Sequence, residues 1–258
     1  MAATSPERSG QEIKRMADVF RVKKNLPYRS HTLILNRTNP NGAFSFLSPL
    51  KLDSFLSWRR HAPYPDGVNY LAHLHLSGKD PNLIIGNFIG DGIRGDRFLD
   101  YPGTIQKGIF LHRKIDQYTD THPVVLQSKI RLRPLFHKYA PVIVDVFYDH
   151  FLARNWEQYH DENLRTFADR MYRLLDENQA QFPERSSRFL HHAMQNDLFY
   201  AYKTVEGIDL AFRGLAHRTR FHSGMEKAAE ELQRHQEKYE SEFNEFFPDL
   251  MENVRTVV

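Results

Sequence analysis

Residues 141–156 read PVIVDVFYDHFLARNW. Wound at about 100° per residue, this stretch puts Val142, Asp145, Asp149, Leu152 and Trp156 within an arc of about 80°. The spacing predicts a helix opened by Pro141 and running through Tyr159. Its apolar face carries two carboxylates, and an unpaired buried carboxylate costs several kcal/mol (roughly the penalty of an unmatched buried charge). Asp145 and Asp149 therefore each need a cation: a metal ion, an arginine or a protonated histidine. A buried Arg–Asp bridge suits Asp145 well. Asp149, followed directly by His150, leans toward metal or catalytic work.

The same texture continues on both sides. Asp80-Pro81 reads as an N-cap with proline at the first helical position, opening a helix to about Gly92. A helix is expected from about Thr104 to Thr119, and another from Pro123 to about Tyr139. Asp161 is expected to cap a helix to about Asn178, and PERSSRFLHHAMQNDLFYAY to form a single further one. Thr204 and Ser223 each precede another helical run, the second long and charged. Alternating strand patterns are scarce, so the fold class is all-α.

Residues 1–67 differ. They hold three punctuated polar stretches, ATSPERSGQ, NRTNPNGA and HAPYPDG, and sustain neither helical nor strand periodicity. They carry 11 Lys and Arg against 5 Asp and Glu, whereas the remaining residues carry 24 against 27. The overall charge of +3 thus belongs to the front segment and gives little reason to expect nucleic-acid binding. This segment is read as mostly disordered, ahead of a helical domain over 68–258. The absence of cysteine excludes disulfides, thiolate metal sites and cysteine nucleophiles. No apolar run is long enough for membrane insertion.

Three further stretches carry chemistry. In GIFLHRKIDQYTD (108–120), His112, Asp116 and Asp120 recur every four residues and share one helix face. Asp91 sits between Gly90 and Gly92 on a face with Ile84, Asn87 and Phe88, and small neighbours let another backbone or a ligand come close. His73 and His75 point to different sides of a helix but would share a face on a strand. Imidazoles and carboxylates drawn from several helices can hold Mn²⁺, Mg²⁺, Fe²⁺ or Zn²⁺, and the lack of thiolates leans toward the harder ions. Phosphate loops of the GxxxxGK[ST] type, GxSxG elbows and HExxH pairs are missing. His160-Asp161 falls at a helix junction, where Asp161 is better explained as a cap.

NYLAHLHLS, GNFIGD, GIFLHRKIDQYTDTHP and DHFLARNW occur in the order and spacing of the acyl carrier protein phosphodiesterase family. The resemblance spans about residues 69–255, and that family looks like a divergent branch of the HD-domain metal-dependent phosphohydrolases. It implies a single multi-helix HD-like domain that removes 4′-phosphopantetheine from holo-acyl carrier protein, using Mn²⁺, with Mg²⁺ or Fe²⁺ as alternatives. It further implies His73, Asp91, His112 and Asp149 at the metal, with Asp116 and His150 orienting water or moving a proton. Asp120 fits the pattern less firmly, because it also suits a cap near the helix end. The location implied is a bacterial cytoplasm. Val68 stands where relatives start with methionine, so translation is expected to begin there, through a GTG codon.

An acidic substrate protein calls for a basic surface near the site. Residues 94–138 hold nine Lys and Arg against four Asp, and Arg94, Arg113, Lys114, Arg131 and Arg133 are the expected docking residues. Two other readings remain: a nucleotide or cyclic-nucleotide phosphohydrolase of HD type, and a non-catalytic helical binding module whose aspartates pair with arginines.

Overall fold

Residues 140–153 are buried without exception, so the helix holding them is surrounded on all sides rather than amphipathic. The computed structural model describes residues 69–219 and 221–257, and the segment 1–67 expected to be disordered lies outside them. Among the described residues there are eleven α-helices and no strand. The all-α expectation holds.

Helix α1 spans Tyr70–Leu76, α2 Pro81–Ile89, α3 Gly103–Thr121, α4 Pro123–Phe136 and α5 Ala140–Arg154. Then follow α6 Leu164–Glu177, α7 Glu184–Gln195, α8 Leu198–Ala201, α9 Val205–Arg218, α10 Ala228–Arg234 and α11 Gln236–Arg255. The central helix α5 packs against α1, α4, α9 and α11. Helix α11 also lies on α3 and α4, where its buried Glu242 accepts hydrogen bonds from Ser128 and Arg131 of α4.

Helices α2 and α3 cross where Gly86 meets Gly108. A Cβ at Gly86 would lie 2.1 Å from the Ile105 carbonyl oxygen, and one at Gly108 would lie 2.3 Å from that of Leu83. Only hydrogen fits at either position. This crossing fixes the register of α2 on α3, and everything one turn further along both helices inherits it.

Helix starts follow side-chain chemistry. Asp80 Oδ1 accepts from the amides of Asn82 (2.8 Å) and Leu83 (3.2 Å), and Thr204 Oγ1 accepts from Gly207 (3.1 Å). The cap of α6 is Asn163, whose Oδ1 accepts from the Thr166 amide at 2.9 Å; Asp161, expected there, lies two residues too early and is exposed. The run from Pro183 to Tyr202 is two helices, because Asp197 turns left-handed at φ 48° between them. The segment after Ser223 is also broken, into a short 3₁₀ turn, α10 and α11.

Gly86→Ala and Gly108→Ala are each expected to lower the unfolding free energy by about 2 kcal/mol or more, the cost of overpacking against backbone that cannot rotate away. Gly214→Ala, where a Cβ meets only the end of Arg218 at 3.9 Å, is expected to be neutral or stabilising. Urea midpoints at unchanged slope check both.

Candidate metal centre

One turn beyond the glycine crossing, Gly90 lies against His112. A Cβ at Gly90 would be 2.6 Å from both Cβ and Cγ of that histidine. His73, from α1, stacks on the other side, its ring 4.2 Å from the His112 ring and inclined by 25°. Asp116 follows His112 by one turn of α3. Its Oδ1 is 3.4 Å from His73 Nε2 and its Oδ2 is 3.6 Å from His112 Nε2. The three donor atoms lie within 4.8 Å of one another. The imidazoles are buried, whereas the Asp116 side chain is 27% exposed, so the cluster opens to solvent on the carboxylate side.

The orientation of the His73 ring follows from its neighbours. Asn87 donates through Nδ2 to the His73 carbonyl (2.9 Å) and to Ser77 Oγ (2.8 Å), which orients its amide. Its Oδ1 therefore faces His73 Nδ1, at 2.7 Å, and accepts the proton carried there. Ser77 Oγ in turn donates to the His73 carbonyl at 2.7 Å. Nε2 points into the cluster, buried, making no hydrogen bond and lying 3.4 Å from Asp116 Oδ1. An imidazole nitrogen and a carboxylate oxygen 3.4 Å apart call for a positive charge between them, a proton or a metal ion. Two imidazole nitrogens and a carboxylate oxygen, with the outer ring nitrogen of His73 held by the Asn87 side-chain carbonyl, make a donor set suited to a divalent transition metal. The buried His–His–Asp triad fits such an ion.

The other residues singled out from the sequence, Asp91 and Asp149 among the expected metal ligands, are placed differently. Asp149 is fully buried, and both its oxygens are taken by α1: Oδ2 accepts from the Leu71 amide and Oδ1 from the Ala72 amide, each at 2.9 Å. Burial pushes its carboxyl well above the usual range, and the two amide bonds oppose that rise. Asp91 Oδ2 lies 2.9 Å from Arg185 Nη2 of α7. Asp120 accepts from the buried Lys129 at 2.9 Å. His150 donates from Nδ1 to the Tyr202 carbonyl at 2.7 Å, and burial lowers its pKa, keeping it neutral. His75 packs among Trp156, His160 and Phe247, with its pKa lowered by burial to about 4.

The expected docking residues divide as well. Arg113 donates to the carbonyls of Ile93 (3.1 Å) and Gly95 (2.9 Å), tying down the loop beneath Phe98. Arg131 is engaged by Glu242. Lys114 is half-buried over Phe110, while Arg94 and Arg133 are exposed. Asn87 and Ser77 were not singled out as site residues from sequence. The available signal was a polar amide on the buried face of an apolar helix, which must find partners.

The fold and this cluster together define an all-helical protein with a His–His–Asp donor set of the kind used in metal-assisted hydrolysis. The chain belongs to the acyl carrier protein phosphodiesterase family, whose model matches residues 68–250. It is 31% identical over 191 residues to the acyl carrier protein phosphodiesterase of Pectobacterium atrosepticum, covering 73% of this chain and 98% of that protein. A protein of the same name from an Enterobacter strain is 31% identical over 185 residues (71% and 96%). One from Photorhabdus laumondii is 27% identical over 186 residues (72% and 94%). No solved structure matches.

The hydrogen-bond network predicts that neutral, metal-free His73 carries its proton on Nδ1, the tautomer less common for free histidine. Ring ¹⁵N shifts of the labelled protein check this. Asn87→Leu is expected to lose that tautomer preference and to weaken divalent-metal binding by about 10–100-fold.

Proposed function

We propose that this chain hydrolyses the phosphodiester joining 4′-phosphopantetheine to the serine of holo-acyl carrier protein, with a divalent ion held by His73, His112 and Asp116. The observation that carries the reading is the buried cluster in which His73 Nε2 and His112 Nε2 both face the Asp116 carboxylate. Family membership supplies the substrate class. Mn²⁺ suits the mixed imidazole and carboxylate set better than Mg²⁺, which prefers oxygen ligands throughout.

When bound, such an ion supplies Lewis acidity toward a phosphoryl oxygen and makes water more acidic. The residues of the chain do the rest. Asn87 holds the His73 ring and its tautomer, and Gly90 leaves room for the His112 ring. Asp116, the solvent-facing member, is where the substrate meets the cluster, and its carboxylate is placed to receive a proton from the attacking water. Water adds across the P–O bond to the serine, and serine Oγ leaves with a proton. His150 is fixed to the Tyr202 carbonyl and is left out of proton transfer in this reading.

Arg94 and Arg133 are exposed on the segment expected to meet the acidic partner. No helix among the described residues is long and apolar enough to cross a membrane. A cytoplasmic location fits the absence of cysteine and the bacterial relatives. The catalytic unit is proposed to begin at residue 68, where the family match starts.

Incubating the Mn²⁺-loaded protein with holo-acyl carrier protein is expected to reduce the carrier's mass by the phosphopantetheine arm. Asp116→Asn is expected to lower kcat/KM by roughly 10²–10⁴-fold. Full activity in that variant, or an unaltered carrier with loaded wild-type protein, overturns the proposal.

A further inference from the structure

Helix α1 lacks a cap of its own. The Asn69 side chain makes no capping hydrogen bond, and the second and third amides of a helix have no partner within it. Those amides belong to Leu71 and Ala72, and they are satisfied from 77 to 78 residues away by the two oxygens of Asp149, each at 2.9 Å. His73 comes directly after Ala72. The opposite end of the same short helix is held by Ser77 and Asn87 through the His73 carbonyl. The neighbouring His150 ties α5 to Tyr202, the residue after α8.

We infer that Asp149 is a positioning residue for His73, acting as a remote cap for α1 rather than as a metal ligand. Both of its oxygens already accept hydrogen bonds from backbone amides, each at 2.9 Å. Coordinating an ion would require Asp149 to release at least one amide in a fully buried place where no water replaces it. A carboxylate reaching across from the central helix fixes both where α1 begins and how it is turned. The turn of α1 decides whether His73 Nε2 meets Asp116 or misses it. Preorganisation of this kind matters because a displacement of about 1 Å at a ligand or catalytic group is costly.

This inference rests on His73, His112 and Asp116 being the donor set, and amide protection tests it separately from that premise. Hydrogen exchange at Leu71 and Ala72 is measured in the wild-type protein with and without Zn²⁺, a diamagnetic probe. Unchanged or greater protection on loading is expected; a loss of about tenfold or more means that Asp149 lets go to reach the ion, and overturns the proposal. In Asp149→Asn, both amides are expected to exchange faster and Mn²⁺ affinity to fall by about tenfold or more. Adding Asn69→Asp supplies a carboxylate at the local cap position, and is expected to restore amide protection and most of the affinity. Lost affinity with both amides still protected in Asp149→Asn also overturns it. Should Asp149→Asn fail to fold, the wild-type comparison decides. Failure of the donor set itself reads out differently, as Mn²⁺ binding that survives His73→Ala.

Discussion

The absence of a side chain at Gly86 and Gly108 is the constraint on which the rest of the arrangement depends. Each Cβ would fall within 2.3 Å of a carbonyl oxygen of the opposing helix, so α2 and α3 touch backbone to backbone and have one register. Four residues on, that register sets Gly90 against His112. It also leaves Asn87, next to Gly86, facing α1. The histidine of α3, the amide of α2 and the histidine of α1 meet because two hydrogens meet first.

Around this contact the interior satisfies its polar groups with unusual reach. Asp149 serves the amides of α1, Lys129 the carboxylate of Asp120, Glu242 the side chains of Ser128 and Arg131, and His150 the carbonyl of Tyr202. A fold stabilised by about 5–15 kcal/mol cannot leave many such groups unmatched. His73 Nε2 makes no hydrogen bond and, like His112 Nε2, faces the Asp116 carboxylate. A positive charge between the two, a proton or a metal ion, accounts for that opposition.

The helices were legible in sequence wherever local chemistry decides them. Asp80-Pro81 caps as expected, and the run after Thr204 is a helix that Thr204 caps, because a cap reaches only two or three residues. The His112–Asp116 pair was legible for the same reason, one turn apart on one helix. What could not be read was the partner of a buried charge. Burial on α5 pointed to a cation beside Asp149, and a metal ion was the natural candidate. The donors are backbone amides of a seven-residue helix that starts at Tyr70, and amides leave no mark in a sequence. Asp91 and Arg185 are likewise joined across α2 and α7. Basic residues misled in the opposite way. Arg113 and Arg131 read as surface cations, yet one fastens a loop and the other is engaged by Glu242. Asn163 displaced Asp161 as the cap of α6 because both are good cap residues, and the choice between them depends on where the chain turns.

The central claim is that His73, His112 and Asp116 together hold the ion, while Asp149 and Asp91 serve the scaffold. Anomalous diffraction at the manganese edge, from crystals of the full chain equilibrated with Mn²⁺, tests it most directly. One peak at bonding distance from His73 Nε2, His112 Nε2 and the Asp116 carboxylate is the predicted result, with Asp149 still on the amides of Leu71 and Ala72. A peak bonded to Asp149 or Asp91 and not to His73, or no peak at saturating Mn²⁺, would contradict it.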